Sequence, residues 1–333
     1  MLTKKDIINA FSKLGEYLSE KDELLEEKIK QAQAHNQWFV EQFVHYSINN
    51  WVDCLKQEIL EQFSSNYSFK EKPKSVAIVM AGNIPLVGFH DFLCVLLSGN
   101  SIKIKASKGD AILPVFLADK LIEFEPKLSE RIEFTQQLKN FDAVIATGSN
   151  NTARYFDYYF GKYPHIIRKN RNSVAVLSGN ETEDELNGLA EDILLYFGLG
   201  CRSISKLYVP KNYDLNQVFK ALYNWKWVGD HHKYGSSYDY HKAIYLLNKE
   251  ELLENGFILF KKDTSFSSPV ATLFYEEYDS VNDIERELET RKSEIQCIAS
   301  KIIEKATPLG KTQQPNLTDF ADNIDTMNFL SKL

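Results

Sequence analysis

Ser75-Val76-Ala77-Ile78-Val79-Met80-Ala81-Gly82-Asn83-Ile84-Pro85-Leu86-Val87 decides the fold. Residues Ser75 to Ala81 form a short uncharged apolar run, the pattern of a strand buried on both faces. Gly82 and Asn83 break the run with turn chemistry, and Val87 to Leu97 continues with helix-compatible spacing. Strand, tight loop and helix in one stretch open a βα unit. The unit recurs: Ser101 to Lys105, Phe141 to Thr147 and Ser173 to Leu177 read as further buried strands, with helices at Ala111 to Phe124 and Thr152 to Phe160. Such alternation demands right-handed crossovers and predicts an α/β fold with a parallel sheet covered on both faces.

Residues 1–72 read differently. Apolar positions Ile7, Ile8, Phe11, Leu14 and Leu18 recur at helical spacing between charged faces, which predicts a helical cap or an oligomerisation arm and hence a homo-oligomer. The aromatic group Trp38, Phe39, Phe43, Tyr46 and Trp51 reads as a stripe packing on the main body. Residues 73–180 form the first α/β region and residues 181–305 a second one. The second region holds a helix at Glu183 to Tyr196, strands at Lys206 to Val209, Ala243 to Leu247 and Pro269 to Phe274, and a charged helix at Glu285 to Lys301. Residues 306–333 return as a tail.

A chain of 333 residues, 44% hydrophobic, buries a large core, and its net charge of -7 argues against nucleic acid as a partner. Its four cysteines, Cys54, Cys94, Cys201 and Cys297, lie far apart with no CxxC pair. That spacing suggests neither a disulfide framework nor a thiolate metal site and fits a reducing cytoplasm. No apolar stretch is long enough for an integral membrane segment, and the residues from Met1 to Asp6 run into an amphipathic helix rather than a signal core. His231, His232 and His241 lack metal-site spacing, so no metal is expected. His90 follows the asparagine loop but reads as structural or surface-facing.

In a parallel sheet, ligands bind at loops beyond the strand C-termini. Three loops fit. Ala81 to Val87 offers the Asn83 amide as a donor for an oxyanion, although a Gly-Asn turn ending a strand accounts for the same residues. Thr147-Gly148-Ser149-Asn150-Asn151-Thr152 offers small residues, hydroxyls and a helix N-terminus to a pyrophosphate, while a plain helix cap by Ser149 or Thr152 accounts for it equally. Lys105-Ala106-Ser107-Lys108-Gly109 lacks an acidic residue until Asp110, which favours a 2′-phosphorylated ribose, NADP(H), over NAD(H); two solvated lysines are the plain alternative.

Phe197-Gly198-Leu199-Gly200-Cys201-Arg202-Ser203 places one thiol between flexible residues ahead of a strand, with Arg202 favouring thiolate. A buried cysteine packing as a small hydrophobe fits that peptide as well.

Taken in chain order, these motifs resemble the acyl-CoA reductase family of the luminescence fatty acid reductase type, a branch of the aldehyde dehydrogenase superfamily. The resemblance covers Lys74 to Asp279. It rests on Ala81 to Pro85 as oxyanion loop, Lys105 to Lys108 as adenosine-ribose loop, Thr147 to Ser149 as pyrophosphate loop, Phe197 to Cys201 as nucleophile segment, and Ser268-Pro269-Val270 as the late Gly-Pro-Val motif. It implies an aldehyde-dehydrogenase-like fold: a Rossmann-type NADP-binding domain at 73–180 and a second α/β catalytic domain at 181–305 carrying Cys201. It also implies reduction of a long-chain fatty acyl-CoA to fatty aldehyde through a Cys201 acyl-enzyme. An acyl-activating or acyl-transferase protein is the implied acyl donor. The superfamily's water-activating glutamate is absent from His165 to Ser173, and the usual acid before the late motif is replaced within Thr264 to Pro269. Two alternatives stand beside this reading. One is a hydrolytic aldehyde dehydrogenase, which needs that missing base. The other is a non-catalytic acyl-transfer partner scaffold.

Overall fold

Thr3 starts the first helix. Its hydroxyl accepts the Asp6 amide at 3.2 Å while the Asp6 carboxylate accepts the Thr3 amide at 2.9 Å, a reciprocal capping box. Helix α1 (Lys4–Ser19) is followed by α2 (Glu23–His35), α3 (Glu41–Cys54) and α4 (Gln57–Ser65). The computed structural model describes residues 2–20 and 22–333. Met1 and Lys21, within the helical segment read from the sequence, lie outside the described residues.

The strands and helices then alternate: β1 (Ser75–Val79), α5 (Phe89–Leu97), β2 (Ser101–Lys105), α6 (Ile112–Phe124), β3 (Ile132–Phe134), β4 (Ala143–Thr147), α7 (Asn150–Phe160) and β5 (His165–Arg168). They make a five-stranded sheet in the order β3-β2-β1-β4-β5, parallel throughout. Alternation along the strands divides the side chains. Val76, Ile78, Ile102, Ile104 and Ile145 join the core formed with α1, α5 and α6, while Ala77, Val144 and Ala146 face Phe156 and Phe160 of α7. Phe11 of α1 meets Phe89 and Phe92 of α5 edge-on, at 6.2 and 6.3 Å between ring centres. The amino-terminal helices therefore cover one sheet face. Each fully buried side chain of this kind contributes about 1.5–3 kcal/mol.

The second sheet takes β6 (Asn172–Val176), β7 (Ile204–Pro210), β8 (Leu252–Glu254), β9 (Leu259–Lys262), β10 (Thr272–Tyr278) and β11 (Ile295–Ser300) in the order β11-β6-β7-β10-β9-β8. Its helices are α8 (Glu183–Leu194), α9 (Asn216–Leu222), α10 (His232–Leu247) and α11 (Val281–Thr290). The chain then returns to the first core with α12 (Thr326–Ser331), whose Met327 and Leu330 are fully buried there. Among the described residues no helix is long and apolar enough to cross a membrane.

Contacts gather the chain into two units, Met1–Asn170 with Asn316–Leu333, and Arg171–Pro315. Where composition draws boundaries at 72/73, 180/181 and 305/306, contacts draw them at 170/171 and 315/316. Four expected elements differ. The strand read at Ser173 to Leu177 belongs to the second sheet, because it pairs with β7 and β11. The strand read at Ala243 to Leu247 is the end of α10, where Leu246 and Leu247 are exposed rather than buried. The helix read from Glu285 to Lys301 stops at Thr290, and Ile295–Ser300 pairs with β6 instead. The helix read from Glu183 to Tyr196 stops at Leu194.

Candidate active site

Strand β1 lies between β2 and β4, with Val79 in register with both Lys105 and Ala146. The loops carrying Asn83, Ser107 and Ser149 therefore leave one sheet edge, astride the point where the strand order reverses. Open parallel sheets bind ligands at such an edge. Asn83 is exposed, as are Lys105, Lys108 and Ser149, while Ser107, Thr147 and Gly148 are half-buried. The Ser149 hydroxyl caps α7 by accepting the Thr152 amide at 3.2 Å and lies 2.9 Å from the Thr152 hydroxyl. The positive end of the α7 dipole thus opens directly off β4.

Backbone contact joins the first two loops. A Cβ at Gly82 would lie 2.4 Å from Ser107 Oγ, and one at Gly109 would lie 2.5 Å from the Gly82 carbonyl oxygen. From α2 and the residue after it, His35 Nε2 lies 2.5 Å from the Lys108 carbonyl oxygen and Asn36 Nδ2 donates to that of Gly109 at 3.1 Å. Asp110, which the sequence presents only as the first acid after the lysines, turns inward. It is 3% exposed, and its Oδ2 accepts the Leu86 amide at 2.7 Å.

Burial pushes the Asp110 carboxyl up to about 7, against a smaller lowering by the Leu86 N–H. An unfolded aspartate titrates near 3.9, so between roughly pH 4 and 7 the folded chain holds a proton that the unfolded chain has lost. The contribution of this group to stability therefore falls as pH rises through that window and is constant above it. Asp110→Asn cannot titrate. Its melting temperature relative to the wild type should climb from pH 4 to 7 and level off above, a trend that scanning calorimetry at stepped pH would measure. A flat difference would overturn the assignment.

Cys201 belongs to the second unit and sits behind an unusual turn. After α8, Tyr196, Phe197 and Gly198 take φ of 54°, 57° and 73° in succession. Left-handed backbone is ordinary for glycine but costs a bulky residue about 1 kcal/mol or more. Aromatic packing holds it: Phe197, 1% exposed, lies 4.4 Å from the His231 ring and 5.8 Å from that of Tyr234. The turn and the late motif share a cavity of about 20 Å³, lined by Phe197, Gly198, Ser268, Pro269 and Val270 among others. That is room for one water and not for an acyl chain.

Buried polar groups brace the turn further. The Ser173 hydroxyl donates to the Cys201 carbonyl at 2.9 Å and accepts the Cys297 amide at 3.2 Å, with Cys297 Sγ 3.0 Å away. Asp192 of α8, fully buried, accepts the amides of Gly310 and Thr312 and the Thr312 hydroxyl at 2.7, 3.0 and 2.7 Å. Burial lifts its carboxyl to about 6 despite those bonds.

Cys54, Cys201 and Cys297 are partly exposed, and Cys94 is buried. Burial pushes the thiols of Cys54 and Cys297 up to about 11 and that of Cys94 well up, which keeps all three protonated at neutral pH and poor as nucleophiles. Cys201 is partly exposed at the end of the turn. His90, half-buried, contacts the Leu317 carbonyl oxygen at 2.9 Å and packs against Phe320. Among the described residues no group of three or more His, Cys, Asp and Glu side chains is gathered for a metal.

The profile of the acyl-CoA reductase (LuxC) family matches residues 4–223. A long-chain acyl-protein thioester reductase from Aliivibrio fischeri is 26% identical over 214 residues, covering 58% of this chain and 44% of that protein. The chain thus spans under half the length of this curated relative. Among solved structures, aldehyde dehydrogenase 21 from Physcomitrella patens in complex with the reaction product succinate superposes with a TM-score of 0.69 at 11% identity, covering 99% of this chain and 84% of that one. An NAD-dependent aldehyde dehydrogenase from Sinorhizobium meliloti gives 0.66 at 11% identity, with 92% and 72% covered. The chain has the aldehyde dehydrogenase fold.

Proposed function

Since the chain belongs to the acyl-CoA reductase (LuxC) family, we propose that it reduces a long-chain fatty acyl-CoA to fatty aldehyde through an acyl-enzyme on Cys201. The observation that carries this reading is the Cys201 turn, in which a partly exposed thiol follows three successive left-handed residues.

The Cys201 thiolate attacks the thioester carbonyl, forming a carbon–sulfur bond and a tetrahedral oxyanion. Donors for that oxyanion are the Asn83 side-chain amide and the Cys201 backbone amide. Collapse breaks the bond to the leaving sulfur, and CoA departs as a thiolate that needs little acid assistance. A nicotinamide held by the loops of the first sheet would supply hydride equivalents, and the Cys201 thioester, on accepting hydride at its carbonyl carbon, would become a thiohemiacetal alkoxide. Expulsion of the Cys201 thiolate then releases the aldehyde.

The donor set at the first sheet edge fits such a cofactor: the α7 N-terminus with Thr147, Gly148 and Ser149 suits a pyrophosphate, and the exposed Lys105 and Lys108 with Ser107 suit a 2′-phosphate. Asp110, the nearest acid, is buried against Leu86 and is not presented to a ribose hydroxyl, which supports NADP(H). Of the alternatives, hydrolysis needs a base where the sequence reads His165 to Ser173. Arg168 in that segment is instead buried and paired with Asp91, which supports a thioester that survives to meet hydride. A non-catalytic scaffold has no use for a partly exposed thiol set just after a strained turn. The Aliivibrio fischeri relative is named for an acyl-protein substrate, and that supports an acyl-activating or acyl-transferase protein as the physiological donor. We read the chain as a homo-oligomer, which light scattering would test.

Asn83→Ala should slow acylation by about 100-fold, the cost of one oxyanion donor, with unchanged circular dichroism. The reading as a whole is tested by following NADPH and NADH oxidation with acyl-CoAs of graded chain length. Oxidation of aldehyde to acid in the absence of CoA would favour the hydrolytic alternative, and absence of NADPH binding the scaffold.

A further inference from the structure

The turn that carries Asn83 is held against its own backbone preference. Leu86, which closes it, is left-handed at φ 58° and 1% exposed, a conformation that leucine takes at a cost. Two side chains from elsewhere grip it. Ser47 of α3 donates to the Pro85 carbonyl at 3.0 Å, and Asp110 accepts the Leu86 amide at 2.7 Å.

Asp110 has no other visible use. An aspartate just ahead of a helix ordinarily caps it, yet α6 begins from Ala111 with no side-chain cap. The second carboxyl oxygen, Oδ1, is buried without a hydrogen-bond partner. Burying an acid to hold one amide is expensive, and that expense is borne at the junction of two candidate ligand loops. The junction is closely packed, since a Cβ at Gly82 would also lie 2.9 Å from the Asp110 backbone nitrogen.

We propose that Asp110 is a positioning residue for the reductase reaction: its carboxyl holds the Gly82–Leu86 turn in the shape that presents Asn83 to the oxyanion, and ties that shape to the Lys105–Gly109 cofactor loop. This rests on the oxyanion role given to Asn83 above. Occupancy of the cofactor loop and aim of the Asn83 amide are then linked through one side chain.

The test combines single-turnover acylation of the full chain by labelled octanoyl- and dodecanoyl-CoA with hydrogen exchange across residues 82–89. Asp110→Ala should slow acylation by about 10- to 100-fold while the acyl-CoA concentration for half-maximal rate stays within about twofold, and exchange across the turn should accelerate. Asp110→Asn keeps an oxygen acceptor for the Leu86 amide and should recover most of the rate and protection. The double variant Asn83→Ala with Asp110→Ala should be no slower than Asn83→Ala alone, because one acts through the other. Multiplied losses in the double variant, or unchanged exchange in Asp110→Ala, would overturn the proposal. A wild-type chain that never acylates at Cys201 would instead defeat the functional reading, and the exchange result would then decide by itself whether Asp110 holds the turn.

Discussion

Cys201→Ala should abolish the covalent acyl-enzyme and lower NADPH-dependent turnover by at least about 10⁴-fold, the scale of losing a covalent nucleophile. The fold should barely respond. Cys201 is partly exposed, and the turn that presents it is held by the packing of Phe197 against His231 and Tyr234, so unfolding stability should stay within about 1 kcal/mol. Cys297→Ala is the matched control. Its thiol is held protonated by burial, so that variant should still trap labelled acyl group, with the label mapping to the peptide containing Cys201. Acyl label retained in Cys201→Ala would end the nucleophile assignment.

The second large effect concerns stability. Arg168, 4% exposed, forms a forked pair with Asp91, 5% exposed: Nη1 bonds one carboxylate oxygen, Nη2 bonds the other at 2.9 Å, and Nη2 also donates to Thr326 Oγ1 at 2.9 Å. Removing one partner of such a pair strands a charge in the interior. Arg168→Ala should therefore destabilise the first unit by about 3–5 kcal/mol. Urea unfolding followed through Trp38 and Trp51, in variants lacking Trp225 and Trp227, would measure it. Replacing both partners together, Asp91→Leu with Arg168→Met, should recover most of the loss, because no buried charge remains. A double variant as unstable as Arg168→Ala would show that packing, not charge, governs the site.

Three strands of the first sheet were legible from local signals: β1 and β4 are short apolar runs, and β2 alternates isoleucine with lysine, whereas the three-residue β3 was too short to read. Strand β5 was not legible either, since His165 and Arg168 bracket only two isoleucines and its pairing with β4 supplies the reason for its shape. Strand β11 hides behind the charges of α11, and the apolar end of α10 imitates a strand. At the candidate site, Asn83, Ser107, Ser149 and Cys201 could be nominated from residue type and turn context. Asp110, Ser173 and Asp192 could not, because their partners Leu86, Cys201 and Thr312 are distant in sequence. The left-handed Tyr196 and Phe197 oppose their own propensities, and Phe197 packs there against His231 and Tyr234, far along the chain.

The first unit is interrupted in sequence, and that sets an order of assembly on the ribosome. Residues 171–315 are contiguous and can close as soon as they emerge, whereas residues 1–170 wait for 316–333. Until then Arg168 lacks Thr326, Tyr67 lacks the Asp325 carboxylate it donates to at 3.0 Å, and the core lacks Met327 and Leu330. At roughly 5–20 residues per second the wait lasts about ten to thirty seconds. The half made first is the half finished last, and through that interval its unfilled core is the surface a chaperone would meet.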